Sequence, residues 1–184
     1  MKNLLTQLVM MLITITLFLL MLVLNEWLFS SLEFVRGVNW IYLPAGVRLL
    51  CTLLFAEAGA AGLLIVSWLV CFLYFFPDDW IRSFGGGIVA ALAPYGTFCV
   101  ARRYFGLGAS LAQLTPQRLL WLSVVYALAN ALLHLVWSVL RGDGLPMDKF
   151  AVMMLGDFSG TLIVLYGFKA LLMLPAKLNR YELK

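Results

Sequence analysis

The stretch from Leu4 to Leu24 contains no charged residue, and this one feature narrows the folds open to the chain. About 20 apolar residues in a helix cross the roughly 30 Å hydrocarbon layer of a bilayer with every backbone group hydrogen-bonded internally. A cleaved signal peptide is the rival reading. The apolar region is too long for one, only Lys2 supplies positive charge ahead of it, and no small-x-small cleavage pattern follows. The run is therefore expected to be an uncleaved first transmembrane helix. Composition carries the argument to the whole chain. Of 184 residues, 64% are hydrophobic and 12% charged, against about 25% charged in soluble domains. A chain this short has too much surface for its volume to hide so much apolar area from water. Lipid is the expected solvent, and residues 1–184 read as a single all-α, polytopic transmembrane domain.

Five further apolar segments follow. Residues 25–40 mix Glu26, Glu33 and Arg36 with Trp27, Phe29, Phe34 and Trp40, a composition suited to the membrane–water interface. The second helix is expected at 41–56, short and carrying Pro44, Gly46 and Arg48. The third, at 58–76, ends at Pro77-Asp78-Asp79, which has good turn chemistry. The fourth is expected at 85–101, interrupted by Pro94, and Arg102-Arg103 end it. Thr115-Pro116 supply an N-cap and a first-turn proline for the fifth, at 119–140. The polar turn Arg141-Gly142-Asp143-Gly144 leads to the sixth, at 150–174, stopped at Pro175. Prolines and short lengths leave re-entrant alternatives open for the second and fourth.

Loop charges set the orientation. With the N-terminus in the cytoplasm, seven basic residues fall on that side: Lys2, Arg102, Arg103, Arg118, Lys177, Arg180 and Lys184. Four fall opposite: Arg36, Arg82, Arg141 and Lys149. The positive-inside rule thus places both ends in the cytoplasm of a bacterial inner membrane. Charge scattered over helix ends in this way serves orientation and does not suggest nucleic acid. Cys51, Cys71 and Cys99 lie in apolar stretches without metal-ligand spacing and read as small packing residues.

Ionisable groups inside hydrocarbon are costly, and each calls for a partner or a purpose. Arg48 is seven residues into the second helix, Asp157 seven into the sixth, and His134 six from the end of the fifth. At 1.5 Å per residue all three share a layer roughly 10 Å beneath the outer surface. Asn130 lies four residues before His134, on the same helix face. An Arg48–Asp157 ion pair, with His134 and Asn130 nearby, is the simplest arrangement that satisfies the four. Such a pair either fixes helix register or forms part of a ligand or signal site, and both readings stand. Gly156 and Gly160 flank Asp157 in a small-xxx-small spacing that lets another helix approach closely. Lys169 can snorkel to the inner interface.

Catalytic constellations are missing. The sequence holds no G-x-S-x-G, no H-E-x-x-H and a single histidine. Gly85-Gly86-Gly87 lacks the Lys-Ser/Thr of a phosphate loop. One histidine and one carboxylate make a poor metal-ligand set. No enzyme activity, cofactor or metal is expected.

Two stretches resemble the membrane-associated sensor domain of the first class, the MASE family of bacterial signalling proteins. One runs from Asn39-Trp40 through Leu43-Pro44-Ala45-Gly46-Val47 to Leu53-Leu54-Phe55 and Gly59. The other is Met154-Leu155-Gly156-Asp157-Phe158-Ser159-Gly160-Thr161-Leu162-Ile163-Val164, similar to the family's Leu-Gly-Asp-x-x-Gly last-helix motif. Family members usually have about eight helices and carry cyclase, phosphodiesterase or kinase output domains, whereas six helices are expected here with no output domain. The resemblance implies a free-standing, non-enzymatic sensory or interaction subunit that passes a cue to a separate protein partner or to another copy of itself. A small-solute binding or transport component, or a structural accessory subunit of a larger membrane complex, are the alternatives.

Overall fold

The structure, a computed structural model, describes residues 3–105 and 115–182, the segment 171–182 as backbone alone. Six helices occupy these residues: α1 (Leu4–Phe29), α2 (Leu43–Phe55), α3 (Glu57–Val70, prolonged by a π turn over Cys71–Phe75), α4 (Trp80–Phe105), α5 (Pro116–Leu140) and α6 (Met147–Glu182). Five are long and apolar enough to cross a membrane. The exception is α2. Its 13 residues reach only about 20 Å at 1.5 Å each. The described residues are all-α apart from one small hairpin, β1 (Glu33–Val35) with β2 (Val38–Asn39).

The bundle is built around α2. Eleven of its residues, from Leu43 to Leu53, are buried, and it packs against each of the other five helices. Phe18 and Leu22 of α1, Leu63 and Val66 of α3, Ala93 of α4, Tyr126 of α5 and Leu165 of α6 belong to the same core. The outer faces of the long helices are apolar as well. Leu5, Leu12, Leu20 and Val23 of α1, Leu73 beyond α3, and Trp121, Val136 and Leu140 of α5 are all exposed. Apolar area this continuous is rare on soluble monomers, and its outward face matches hydrocarbon.

Several sequence expectations are corrected. The first helix runs past the expected residue 24: α1 continues through Asn25 and Trp27 to Phe29 before a short 3₁₀ turn and the hairpin. The hairpin turns on Gly37 at φ +79°, a conformation open to glycine at little cost, and the Gly37 N–H donates to the Glu33 carboxylate at 3.0 Å. α4 begins at Trp80 and runs unbroken through Pro94. A proline inside a helix removes one hydrogen bond, but packing can hold the axis, and Ala90, Ala91 and Ala93 are buried around it. α6 passes Pro175 in the same way, so that residue does not stop the helix. The expected Thr115 cap is present, its hydroxyl accepting from the Arg118 N–H at 3.3 Å. Lys2 and Lys184 lie outside the described residues.

The hairpin, the turn at residues 76–79 and the α5–α6 turn gather at one end of the bundle. Gly37 rests on Phe76, and Arg141 after α5 bridges Asp79 at 2.9 Å. The start of α1 and the end of α6 lie at the other end. α2 starts well inside the bundle because residues 40–42 descend in non-helical conformation from the hairpin. Non-helical backbone at that depth needs protein partners. The Asn25 carboxamide accepts from the Leu43 N–H at 2.8 Å, and the Gly156 carbonyl accepts from the Tyr42 N–H at 3.1 Å.

Candidate functional site

The small-residue face of α6 places Asp157. Gly156 and Gly160 are both buried. A Cβ at Gly156 would overlap the Asn39 carbonyl oxygen, and one at Gly160 would overlap that of Tyr42. The close approach expected at this motif is thus made by the lead-in to α2, not by the flank of another long helix. Ser159, between the two glycines, donates its hydroxyl to the Trp40 carbonyl at 3.1 Å. One turn further on, Gly46 of α2 meets Val164 and the Gly160 carbonyl. α2 and α6 are therefore held backbone to backbone: Asn39 lies against Gly156, Tyr42 against Gly160 and Gly46 against Val164, which sets Arg48 deeper along α6 than Asp157.

All four polar residues singled out from the sequence line one chamber of about 60 Å³: Arg48 from α2, Asn130 and His134 from α5, and Asp157 from α6. Arg48 is 8% exposed, Asn130 2% and Asp157 3%, while His134 is half-buried. The volume admits a few water-sized groups. The expected ion pair does not form. Neither ion pair found among the described residues includes Arg48 or Asp157. Asp157 instead accepts a hydrogen bond from the side-chain amide of Asn130. The Arg48 guanidinium sits 5.2 Å from the Phe18 ring centroid and 5.4 Å from that of Tyr42, within cation–π range. Two aromatic faces and a carboxamide have taken the places that the sequence argument gave to a direct charge pair.

Several chamber groups have unused hydrogen-bonding capacity. Arg48 Nε, Asn130 Oδ1, Asn39 Oδ1 and Ser67 Oγ are buried and have no hydrogen-bond partner. The Tyr126 hydroxyl is buried beside the Arg48 guanidinium, which is the donor within its reach. Buried polar groups are nearly always paired, and each exception calls for a water, an ion or a role. Asn39, Ser67 and Tyr126 were not legible as site residues. Asn39 entered the sequence argument only as part of a resemblance stretch, and nothing there singled out Ser67 or Tyr126.

A second, larger cavity of about 380 Å³ adjoins the chamber at the hairpin end, and Gly37, Phe76, Gly86, His134 and Met153 line both. Its wall includes Arg36 from the hairpin turn, Arg82 from α4, Arg141 from the end of α5 and Lys149 from the start of α6. The sequence placed these four on one side of the membrane; the fold collects them around one vestibule. Arg36 donates to the Tyr74 carbonyl at 3.1 Å and lies over the Tyr74 ring at 4.2 Å. Arg82 lies 3.8 Å over Phe76. Arg141 bridges Asp79 and Asp143, at 2.9 and 3.3 Å. The Arg82 backbone N–H donates to Asp79 at 2.9 Å, and this bond, aided by Arg141, holds the Asp79 carboxyl below its ordinary value.

Among the described residues, no three His, Cys, Asp or Glu side chains gather as a metal site. Compared with protein-family models, curated proteins and solved structures, the chain matches none.

Proposed function

We propose that this chain is a multi-pass subunit of a bacterial inner membrane, both termini in the cytoplasm, that receives a chemical cue and relays it to a separate protein. The observation that carries the reading is the chamber. Four costly polar side chains from three helices surround one space, and Arg48 and Asn130 there have unpaired buried atoms. A pair kept only for helix register would spend its hydrogen bonds on itself; here capacity is left over, facing a cavity that adjoins a wider vestibule. α2 is the natural relay, because it carries Arg48 and packs against every other helix.

The resemblance to the MASE sensor domains is part of the same proposal. The two stretches that carry it, around Pro44-Ala45-Gly46 and Gly156-Asp157, pack directly on each other through Gly46, Gly160 and Tyr42. Sequence similarity confined to two separated stretches is easier to explain when they form one structural joint. The relay reading needs a partner, and co-purification in mild detergent tests it. A cytoplasmic signalling protein recovered with the wild-type chain supports it. An ATPase module or a bound solute favours a transport component instead, and a fixed-stoichiometry membrane assembly an accessory subunit.

A further inference from the structure

We propose that the vestibule and chamber together bind a hydroxyl-bearing organic phosphate, the phosphate in the vestibule and the hydroxyls in the chamber. The inference deepens the cue-receiving reading and rests on it. Four cations from four separate elements face one cavity, and both ion pairs among the described residues, to Asp79 and Asp143, are made by Arg141. Like charges gathered from distant parts of a chain cost folding energy by mutual repulsion unless an anion is shared among them. Arginine suits a phosphate because its planar fork can donate two parallel hydrogen bonds. Arg141, already paired with two aspartates, still keeps NH1 buried and unpartnered.

The chamber has a different character. Arg48 and Asp157 offset one another in charge, so a second anionic group gains little there. The unpaired atoms comprise acceptors, Asn39 Oδ1 and Asn130 Oδ1, and a donor, Arg48 Nε. A hydroxyl both donates and accepts and answers both needs. The combined space is within the range of small-molecule sites. Two sources offer this chemistry: a free polyol phosphate, or the phosphoglycerol headgroup of a lipid in the leaflet at the hairpin end.

The test uses the full chain in phosphatidylcholine nanodiscs, with thermal unfolding followed by tryptophan fluorescence. The probes are sn-glycerol 3-phosphate, inorganic phosphate, glycerol, choline, and nanodiscs doped with phosphatidylglycerol. A saturable rise in Tm with glycerol 3-phosphate, and none with glycerol or choline, is the expected result for a free ligand. A rise only in the doped nanodiscs identifies the lipid headgroup. Either response should weaken about tenfold in Lys149→Gln, the loss of one charge-assisted contact; Lys149 is exposed, so this variant keeps the fold. Arg48→Gln should weaken the response to glycerol 3-phosphate but not any response to inorganic phosphate. Stabilisation by glycerol or choline with none by a phosphate overturns the ligand class and leaves the cue-receiving reading standing. No response to any probe overturns the ligand proposal by itself, and unchanged partner recovery in Arg48→Gln then overturns the cue-receiving reading as well.

Discussion

Asn130 donates its side-chain amide to the carboxylate of Asp157 across the α5–α6 interface, and Arg48, the expected partner of that carboxylate, makes no ion pair with it. The distinction is measurable. Double-mutant cycles in detergent should give a coupling of roughly 1–3 kcal/mol for Asn130 with Asp157, the range for contacting buried polar groups. The cycle for Arg48→Met with Asp157→Leu should give a smaller value, because the two charges line one chamber without touching. A larger coupling for Arg48 would restore the direct pair and discard the arrangement described above.

The glycines of α6 divide into those that touch backbone and those that touch nothing. Gly160→Leu should lower thermal stability severely, because even a Cβ there would overlap the Tyr42 carbonyl, and overpacking of this kind costs roughly 1–3 kcal/mol or more. Gly156→Ala should behave alike against Asn39. Gly167→Ala is the control: no atom lies within 4 Å of its Cβ position. Replacing an unconstrained helical glycine should then raise stability by about 0.5–1 kcal/mol. Equal effects at 160 and 167 would mean that the α2 lead-in does not rest on α6.

Orientation is tested with reporter fusions. The four basic residues of the vestibule belong to the end of the bundle opposite the termini, and the proposed topology puts that end in the periplasm. A reporter after Lys184 should register cytoplasm and one at Asp143 periplasm. A periplasmic C-terminus overturns the topology and moves the proposed cue to the other side of the membrane.

How much of this was legible in the sequence depends on the range of the physics involved. The long helices were legible because spanning length and apolar composition are local properties. Their ends were less so: Pro94 acts on a single hydrogen bond that surrounding packing can outweigh, and α6 continues past Pro175. Counting residues from helix ends singled out Arg48, Asn130, His134 and Asp157, and the chamber collects all four, but the equal depths did not follow, because α2 begins inside the bundle and α6 begins at Met147. Their pairing was not reachable. It depends on which side chain lies within hydrogen-bond reach of Asp157, and Asn130 does because α5 packs alongside α6. The hairpin was missed because its strands are only three and two residues long, too short to show alternation. The vestibule was missed for a related reason: Arg36, Arg82, Arg141 and Lys149 are far apart in sequence, and charge counting discards position around the bundle.

Ala56 separates α2 from α3 and has φ +52° and ψ −123°. A side chain is strained there, because its Cβ crowds neighbouring backbone, at a cost of roughly 1–2 kcal/mol. Glycine would relieve the strain but has more freedom to lose on folding, about 0.5–1 kcal/mol. The net expectation for Ala56→Gly is a gain of up to about 1.5 kcal/mol, read as a higher Tm. Ala56→Val should lower it, since a β-branched residue tolerates positive φ least. A loss of stability in the glycine variant would show that the junction depends on the alanine methyl more than on backbone relief.

The last prediction concerns acid. Asp79 lies in the turn between α3 and α4, outside the apolar spans, and joins two connections by bridging Arg141 at 2.9 Å. The Arg82 N–H, chiefly, and Arg141 lower its pKa in the folded state. For a carboxyl with a depressed folded pKa, the unfolded chain takes up the proton first as pH falls. The stabilisation is therefore complete above the ordinary carboxyl value, about 3.9, and is lost as pH drops through the lower folded value. Between pH 7 and pH 5 the Asp79 contribution to Tm should be constant, and below about pH 4 it should fade. Asp79→Asn keeps an acceptor for the Arg82 N–H but removes the charge, so it should lower Tm modestly at neutral pH and flatten the acid limb. Added salt should shrink the neutral-pH difference, because the carboxylate is substantially exposed and screening reaches it. An acid limb that is the same in wild type and Asp79→Asn would assign the acid sensitivity to other carboxylates and leave the Asp79–Arg141 bridge without a role in holding the two turns together.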